Sequence, residues 1–275
     1  MVFLDWRKKI NFLSVLGQSS KQAKGQFQRG QDLYANKQYQ EAIKSLTHAI
    51  TLKSNYSEAY TYRARSYFRL KRYREALKDC QSAIALNDKD AMAYTIRAGI
   101  YFQLGNYEQA LADTTQAIDM NPHLTKAYYY RGITHCELKA YEKAVFDFSK
   151  VIRANPYLTT AYYNRAVAKF HSGDFEGAID DYNCTLTSNP KYANAYYNRG
   201  LAQAKLGQKK KACTDWRRAA DLFLTQGQRS AYDKAIKLMQ SAAKDQRKHF
   251  KKRSYHIEHG NEHFEIDPIA SGLLQ

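Results

Sequence analysis

Small and apolar residues recur along this chain at two spacings. Within short stretches they return every three to four residues, the signature of an amphipathic helix with one apolar face. Over most of the length the pattern also repeats every 34 residues, which predicts a repeat architecture. In blocks starting at Ala23, Ser57, Ala91, Thr125, Thr159 and Ala193, the fourth residue is tyrosine except in the first, where Gln26 stands. The eighth is always small, as Gly30, Ala64, Ala98, Gly132, Ala166 or Gly200. The seventeenth is aromatic in five blocks, and the twentieth is alanine in all six. Pro122, Pro156 and Pro190 stand 34 residues apart at the block ends.

Each block predicts two helices. The first runs from about the second to the fourteenth residue and closes in a short turn such as Leu104-Gly105-Asn106 or Ser172-Gly173-Asp174. The second ends at Asn-Pro or its equivalent, because a residue before proline resists helical geometry. Small residues at the eighth and twentieth places let the two backbones approach, with the fourth-position tyrosine expected to pack over them. One such hairpin cannot bury its own apolar faces, so six must stack. The predicted fold class is all-α, a solenoid of six tandem helix-turn-helix repeats over 23–226 (23–56, 57–90, 91–124, 125–158, 159–192 and 193–226).

Two flanks differ. Residues 1–22 predict an amphipathic basic segment, with Phe3, Trp6, Ile10 and Leu13 on one stripe beside Arg7, Lys8 and Lys9. It either packs on the first repeat or meets a membrane surface or partner; as a secretory leader it is poor. Residues 227–253 predict a basic capping helix whose apolar face is Tyr232, Ile236, Met239 and Ala243. Residues 254–275 predict a flexible, acidic, His-containing tail.

Charge adds a possible partner class. The 275 residues include 43 Lys and Arg against 26 Asp and Glu, a net charge of +17. Between residues 205 and 253 there are 15 basic and four acidic residues. Lys209, Lys210, Lys211, Arg217, Lys248, Lys251, Lys252 and Arg253 are therefore candidates for a docking surface. It would meet an acidic protein, an anionic membrane surface or nucleic acid. Four cysteines without a CxxC pair predict free thiols and a reducing, cytoplasmic compartment, with peripheral membrane association as a variant. No apolar run approaches the roughly 18 residues of a membrane span.

The repeat pattern over residues 23–226 resembles the tetratricopeptide repeat family. Tyr196-Tyr197-Asn198-Arg199-Gly200 is similar to the variant found in stand-alone bacterial members, notably those of photosynthetic bacteria. The resemblance implies a right-handed superhelix whose concave groove binds peptides or proteins, and it implies no reaction. It places the second, fifth, ninth, twelfth and thirteenth residues of each block in the groove. The aromatics at the fifth and twelfth places, Phe27, Tyr34, Phe68, Phe102, Tyr129, Tyr163, Phe170 and Tyr197, become the candidate partner-binding residues. The competing expectation is that they pack on neighbouring first helices or on the last helix. Some members grip a terminal carboxylate with Lys and Asn side chains. Asn164 and Asn198 match one such place, but Tyr129, Tyr163, Ile133 and Val167 stand at others, so that grip is not expected here.

The seventh residue of every block is arginine (Arg29, Arg63, Arg97, Arg131, Arg165 and Arg199), which would suit a phosphate track. The twenty-third is Asp79, Asp113, Asp147, Asp181 or Asp215, with Ser45 in the first block, and this predicts Arg–Asp bridges between helices instead. His259, Glu262 and His263 spell an H-x-x-E-H pattern, yet Gly260 and Asn261 disfavour the helix a zinc site needs. No catalytic residue, metal or cofactor is predicted. The sequence thus reads as a non-catalytic scaffold for protein or peptide partners, in the role of an assembly factor or adaptor. The alternative is a nucleic-acid binder using its basic end, and self-association stays open.

Overall fold

The computed structural model describes residues 2–242, with side chains from residue 17 onward. Among these there are only helices and turns: α1 (Val2–Ala35), α2 (Tyr39–Leu52), α3 (Ser57–Arg69), α4 (Tyr73–Leu86), α5 (Ala91–Gln103), α6 (Tyr107–Met120), α7 (Thr125–Glu137), α8 (Tyr141–Ala154), α9 (Thr159–Ser172), α10 (Phe175–Ser188), α11 (Ala193–Lys205) and α12 (Lys209–Thr225). A further helix, α13, spans 229–242. Successive helices pair as tandem hairpins, the all-α solenoid class. The chain forms two compact units, one up to Cys184 and one from Thr185.

The turn inside each hairpin is set by one backbone torsion. The fifteenth residue of all six blocks is left-handed: Lys37, Lys71 and Lys139 at φ 62°, 59° and 57°, and Gly105, Gly173 and Gly207 at 78°, 92° and 74°. It stops the first helix, and glycine meets that torsion without the penalty a side chain carries. Aromatic pairs brace the turn in four hairpins. Tyr34–Tyr39, Phe68–Tyr73, Phe102–Tyr107 and Phe170–Phe175 have ring centroids 5.4, 5.9, 5.7 and 5.4 Å apart. In the fourth hairpin Cys136 takes the first place, and Tyr141 stacks on His171 of α9 at 4.9 Å.

Between hairpins an asparagine folds the chain. Asn87, Asn121, Asn155 and Asn189 each accept, through Oδ1, the N–H two residues on at 3.1–3.2 Å. Pro122, Pro156 and Pro190 follow three of them and lie in the turns. Asp90 instead caps α5, accepting from the N–H groups of Met92 and Ala93 at 3.0 Å.

Alanine at the twentieth place is fully buried throughout, so the backbones of each hairpin meet closely. The small eighth residue has a partner other than the one expected. It is covered by the twenty-fourth residue, on the second helix, and not chiefly by the fourth-position tyrosine. A Cβ on Gly30, Gly132 or Gly200 would come within 2.6 Å of Leu46, 2.9 Å of Phe148 or 2.6 Å of Trp216. Where the eighth residue is alanine, as at Ala64 and Ala98, the matching side chains are the smaller Cys80 and Thr114. Ala166, opposite Tyr182, departs from this matching of sizes.

The N-terminal boundary differs from expectation. Helix α1 passes through residue 22 without a break, because Gly17 and Gly25 weaken a helix without ending one. Ser19 donates to the Leu52 carbonyl at 3.1 Å, so α1 touches α2 before the first repeat begins. The stripe Phe3, Trp6, Ile10 and Leu13 belongs to side chains outside the described residues. In the second unit α13 lies on α11 and α12: Ala235 is fully buried among Ala193, Ala219 and Phe223, with Tyr232 and Ile236 beside it. Leu238 and Met239 pack near Trp216. Ala243 and the remainder of the expected cap, and the tail with His259 and His263, lie outside the described residues.

Candidate functional site

The arginine row is a structural device. Nε and Nη2 of Arg63, Arg97, Arg131, Arg165 and Arg199 donate to the two carboxylate oxygens of Asp79, Asp113, Asp147, Asp181 and Asp215, all at 2.7–2.9 Å. Each guanidinium also lies over the tyrosine three residues before it, 5.1–5.7 Å from the ring centroid. The aspartates are buried, and the hydrogen bonds to them hold Arg97, Arg165 and Arg199 above the ordinary arginine pKa. Arg63 and Arg165 reach further, donating to Thr47 and Ser149 of the preceding hairpins at 3.0 Å. A row held this way is not a phosphate track. In the first hairpin Ser45 replaces the aspartate and Arg29 is exposed.

A cavity of about 280 Å³ opens among the first helices of the first unit. Tyr34 of α1, Phe68 of α3, and Tyr129 and Tyr130 of α7 form its aromatic walls. Tyr130 meets Phe68 edge-on at 6.4 Å and Tyr129 at 6.1 Å, and Asn164 donates to the Tyr129 hydroxyl at 3.2 Å. Burial pushes the Tyr130 phenol up to about 12, so it stays a neutral donor. Arg65 and Arg69 of α3 and Lys126 of α7 line the same space. The Arg65 guanidinium lies 4.4 Å from the Tyr34 centroid and 4.7 Å from that of Tyr62. Arg69 lies 5.3 Å from that of Tyr39. Burial, then Arg65 and Arg69, hold the Lys126 ammonium below the usual lysine pKa.

Of the eight aromatics chosen from the sequence, Tyr34, Phe68 and Tyr129 line this cavity. The other five have partners of their own. Phe27 packs on Tyr56 and Tyr62, Phe102 and Phe170 brace their turns, and Tyr163 lies 6.0 Å from Tyr182. Tyr197 packs on Phe223 and on the clusters that include Ala235 and Ala242 of α13, the competing expectation for these rings. Selecting aromatics alone misses Arg65, Arg69 and Lys126, although they occupy the ninth, thirteenth and second places that the family pattern assigns to the groove. Tyr130, at a sixth place, carries no such signal.

Lys209, Lys210, Lys211 and Arg217 are exposed on α12, whereas Lys248, Lys251, Lys252 and Arg253 lie outside the described residues. The four cysteines are free thiols; burial raises Cys136 to about 12 and Cys80 further, which leaves both protonated and unreactive. Among the described residues no group of His, Cys, Asp and Glu could hold a metal, and no helix is long and apolar enough to cross a membrane.

Comparison with known proteins matches models of the tetratricopeptide repeat to residues 97–159, 168–207 and 194–223. A model for subunit 3 of the anaphase-promoting complex, or cyclosome, matches residues 35–117. No curated protein matches the chain. Among solved structures, YrrB, described as a TPR protein with an unusual peptide-binding site, is 20% identical with a TM-score of 0.61, covering 70% of this chain and 97% of that one. PilF of Pseudomonas aeruginosa is 14% identical with a TM-score of 0.68, over 79% of this chain and 97% of its own. MamA of Desulfovibrio magneticus RS-1 is 19% identical with a TM-score of 0.58, over 62% and 96%. At these identities the likeness is one of fold.

Proposed function

This chain belongs to the tetratricopeptide repeat family, and on that premise we propose that it is a non-catalytic scaffold. It holds partner proteins or peptides against its first helices, as an assembly factor or adaptor. The observation that carries the reading is the cavity of the first unit, where half-buried rings and Arg65 face one space with the more exposed Arg69 and Lys126. Such a surface gives a bound chain apolar area, ring faces and hydrogen-bond donors together. Tyr34, Phe68 and Tyr129 are its proposed anchors, each worth about 2 kcal/mol if fully covered by the partner.

The reading is tested by photo-crosslinking from position 129, with position 146 as control. Phe146 is 56% exposed on α8 and does not line the cavity. Protein adducts are expected from position 129, resistant to nuclease, and weakened by Phe68→Ala. The same adducts from position 146 would sink the proposal. The alternative, a nucleic-acid grip by the basic end, is favoured by the exposure of Lys209, Lys210, Lys211 and Arg217 together on α12. It requires position 129 to give no adduct and nuclease to remove the partner.

A further inference from the structure

The cavity in the first unit carries charge of a single sign. Arg65, Arg69 and Lys126 line it, and no carboxylate does. Arg65 is half-buried, and elsewhere the fold pairs such arginines: Arg63, two residues away, is held through both its Nε and Nη2 by Asp79. Arg65, Arg69 and Lys126 have no ion pair among the described residues. Like charges gathered without a counter-ion disfavour one another. That repulsion contributes to the lowered pKa of Lys126. An anion arriving between α3 and α7 relieves it.

The cations are also prepared. Arg65 is held over the rings of Tyr34 and Tyr62, which restricts the side chain before any ligand binds. Next to the cations the lining turns apolar, with Met92 and Ile96 of α5 and Leu158 ahead of α9. The volume of about 280 Å³ is large enough for an apolar side chain.

We propose that this cavity selects an acidic, apolar peptide segment. One apolar side chain seats against Met92, Ile96 and Leu158, and adjoining Asp or Glu carboxylates meet Arg65, Arg69 and Lys126. This rests on the scaffold reading above and narrows it to a ligand chemistry. An internal segment fits better than a chain end, since no Asn or Gln side chain lines the cavity to wrap a terminal carboxylate. A nucleic-acid strand fits less well. It needs cations spread along a track at phosphate spacing, and here three gather beside an aliphatic surface.

The test uses the full chain and a library of random peptides of about twelve residues displayed between two folded domains, so that no terminus is free. Selected sequences are then made with acetylated and amidated ends and titrated by fluorescence anisotropy. Enrichment of Asp or Glu next to Leu, Ile, Met or Phe is expected. Lys126→Gln and Arg69→Gln should each weaken the selected peptides at least ten-fold, and exchange of the peptide's acids for amides should do the same. Lys126 and Arg69 are the more exposed of the three, so their variants are expected to fold; if Arg65→Gln lowers the melting temperature, these two decide. Peptides that bind without acidic residues and ignore both variants overturn this inference and leave the scaffold reading standing. Binding only by peptides with a free C-terminus overturns it as well, as does a single-stranded oligonucleotide that outcompetes every peptide and is lost in the same variants. If no peptide binds, this inference falls, and crosslinking from position 129 decides the scaffold reading by itself.

Discussion

At the scale of single residues, the left-handed position that closes each hairpin shows strain the repeat tolerates. Lys37, Lys71 and Lys139 hold a torsion that three other blocks give to glycine. A non-glycine residue there is disfavoured by about 1–2 kcal/mol, against about 0.5–1 kcal/mol for the extra freedom glycine loses on folding. Lys139→Gly should therefore raise stability by up to about 1 kcal/mol, read as a higher denaturation midpoint with an unchanged slope. No gain, or a loss, would place the favourable term in the lysine side chain instead. This torsion is hard to read from any one block, since lysine is no turn signal; only the alignment with Gly105, Gly173 and Gly207 reveals it. The arginine row behaves differently. Its partner was readable because arginine and aspartate recur with the same spacing, 16 residues apart. Asp147 is 1% exposed, so Arg131→Leu strands a carboxylate in the core and should destabilise by about 3 kcal/mol. Replacing both as Arg131→Leu with Asp147→Leu should restore part of that loss; no recovery would mean that packing, not the stranded charge, dominates.

At the scale of elements, the period put the helix starts at about the second residue of each block, and the helices begin one residue earlier, at Ser57, Ala91, Thr125, Thr159 and Ala193. It did not reveal how α1 begins, since nothing near residue 22 interrupts a helix. Nor did it reveal which side chain covers the small eighth residue. That pairing joins positions in two helices, and it depends on side-chain direction more than on spacing. Gly132 and Phe148 test it. A methyl on Gly132 would meet the Phe148 ring at 2.9 Å, so Gly132→Ala should destabilise the α7–α8 hairpin by about 1–3 kcal/mol. Adding Phe148→Leu should return part of the stability, measured as a coupling in a double-mutant cycle. Independent, additive effects would show that the two do not share one space. The candidate cavity was half readable for a related reason. Rings are conspicuous in a sequence, but whether a ring that braces a turn also lines a space depends on the neighbouring helix. Phe102 and Phe68 occupy equivalent places, and only Phe68 lines the cavity.

At the scale of the molecule, charge and groove act at different stages of recognition. A net charge of +17 draws acidic partners from a distance, whereas rings and cations in the cavity act after contact. Raising ionic strength shortens the reach of the first effect, to about 8 Å at physiological salt, and weakens the buried contacts less. Reversing Lys209, Lys210 and Lys211 to glutamate should therefore slow association and flatten its salt dependence while dissociation hardly changes. Phe68→Ala should do the opposite, leaving association near its original rate and speeding dissociation. Stopped-flow kinetics with an acidic, apolar peptide across a salt series separates the two. The comparison also weighs the nucleic-acid alternative, because a protein that displaces counterions from many phosphates loses about 10³–10⁵ in affinity between 50 and 200 mM salt. If a single-stranded oligonucleotide shows a slope that steep, and the lysine reversals abolish its binding while Phe68→Ala leaves it intact, the basic end is the binding site and the groove is not.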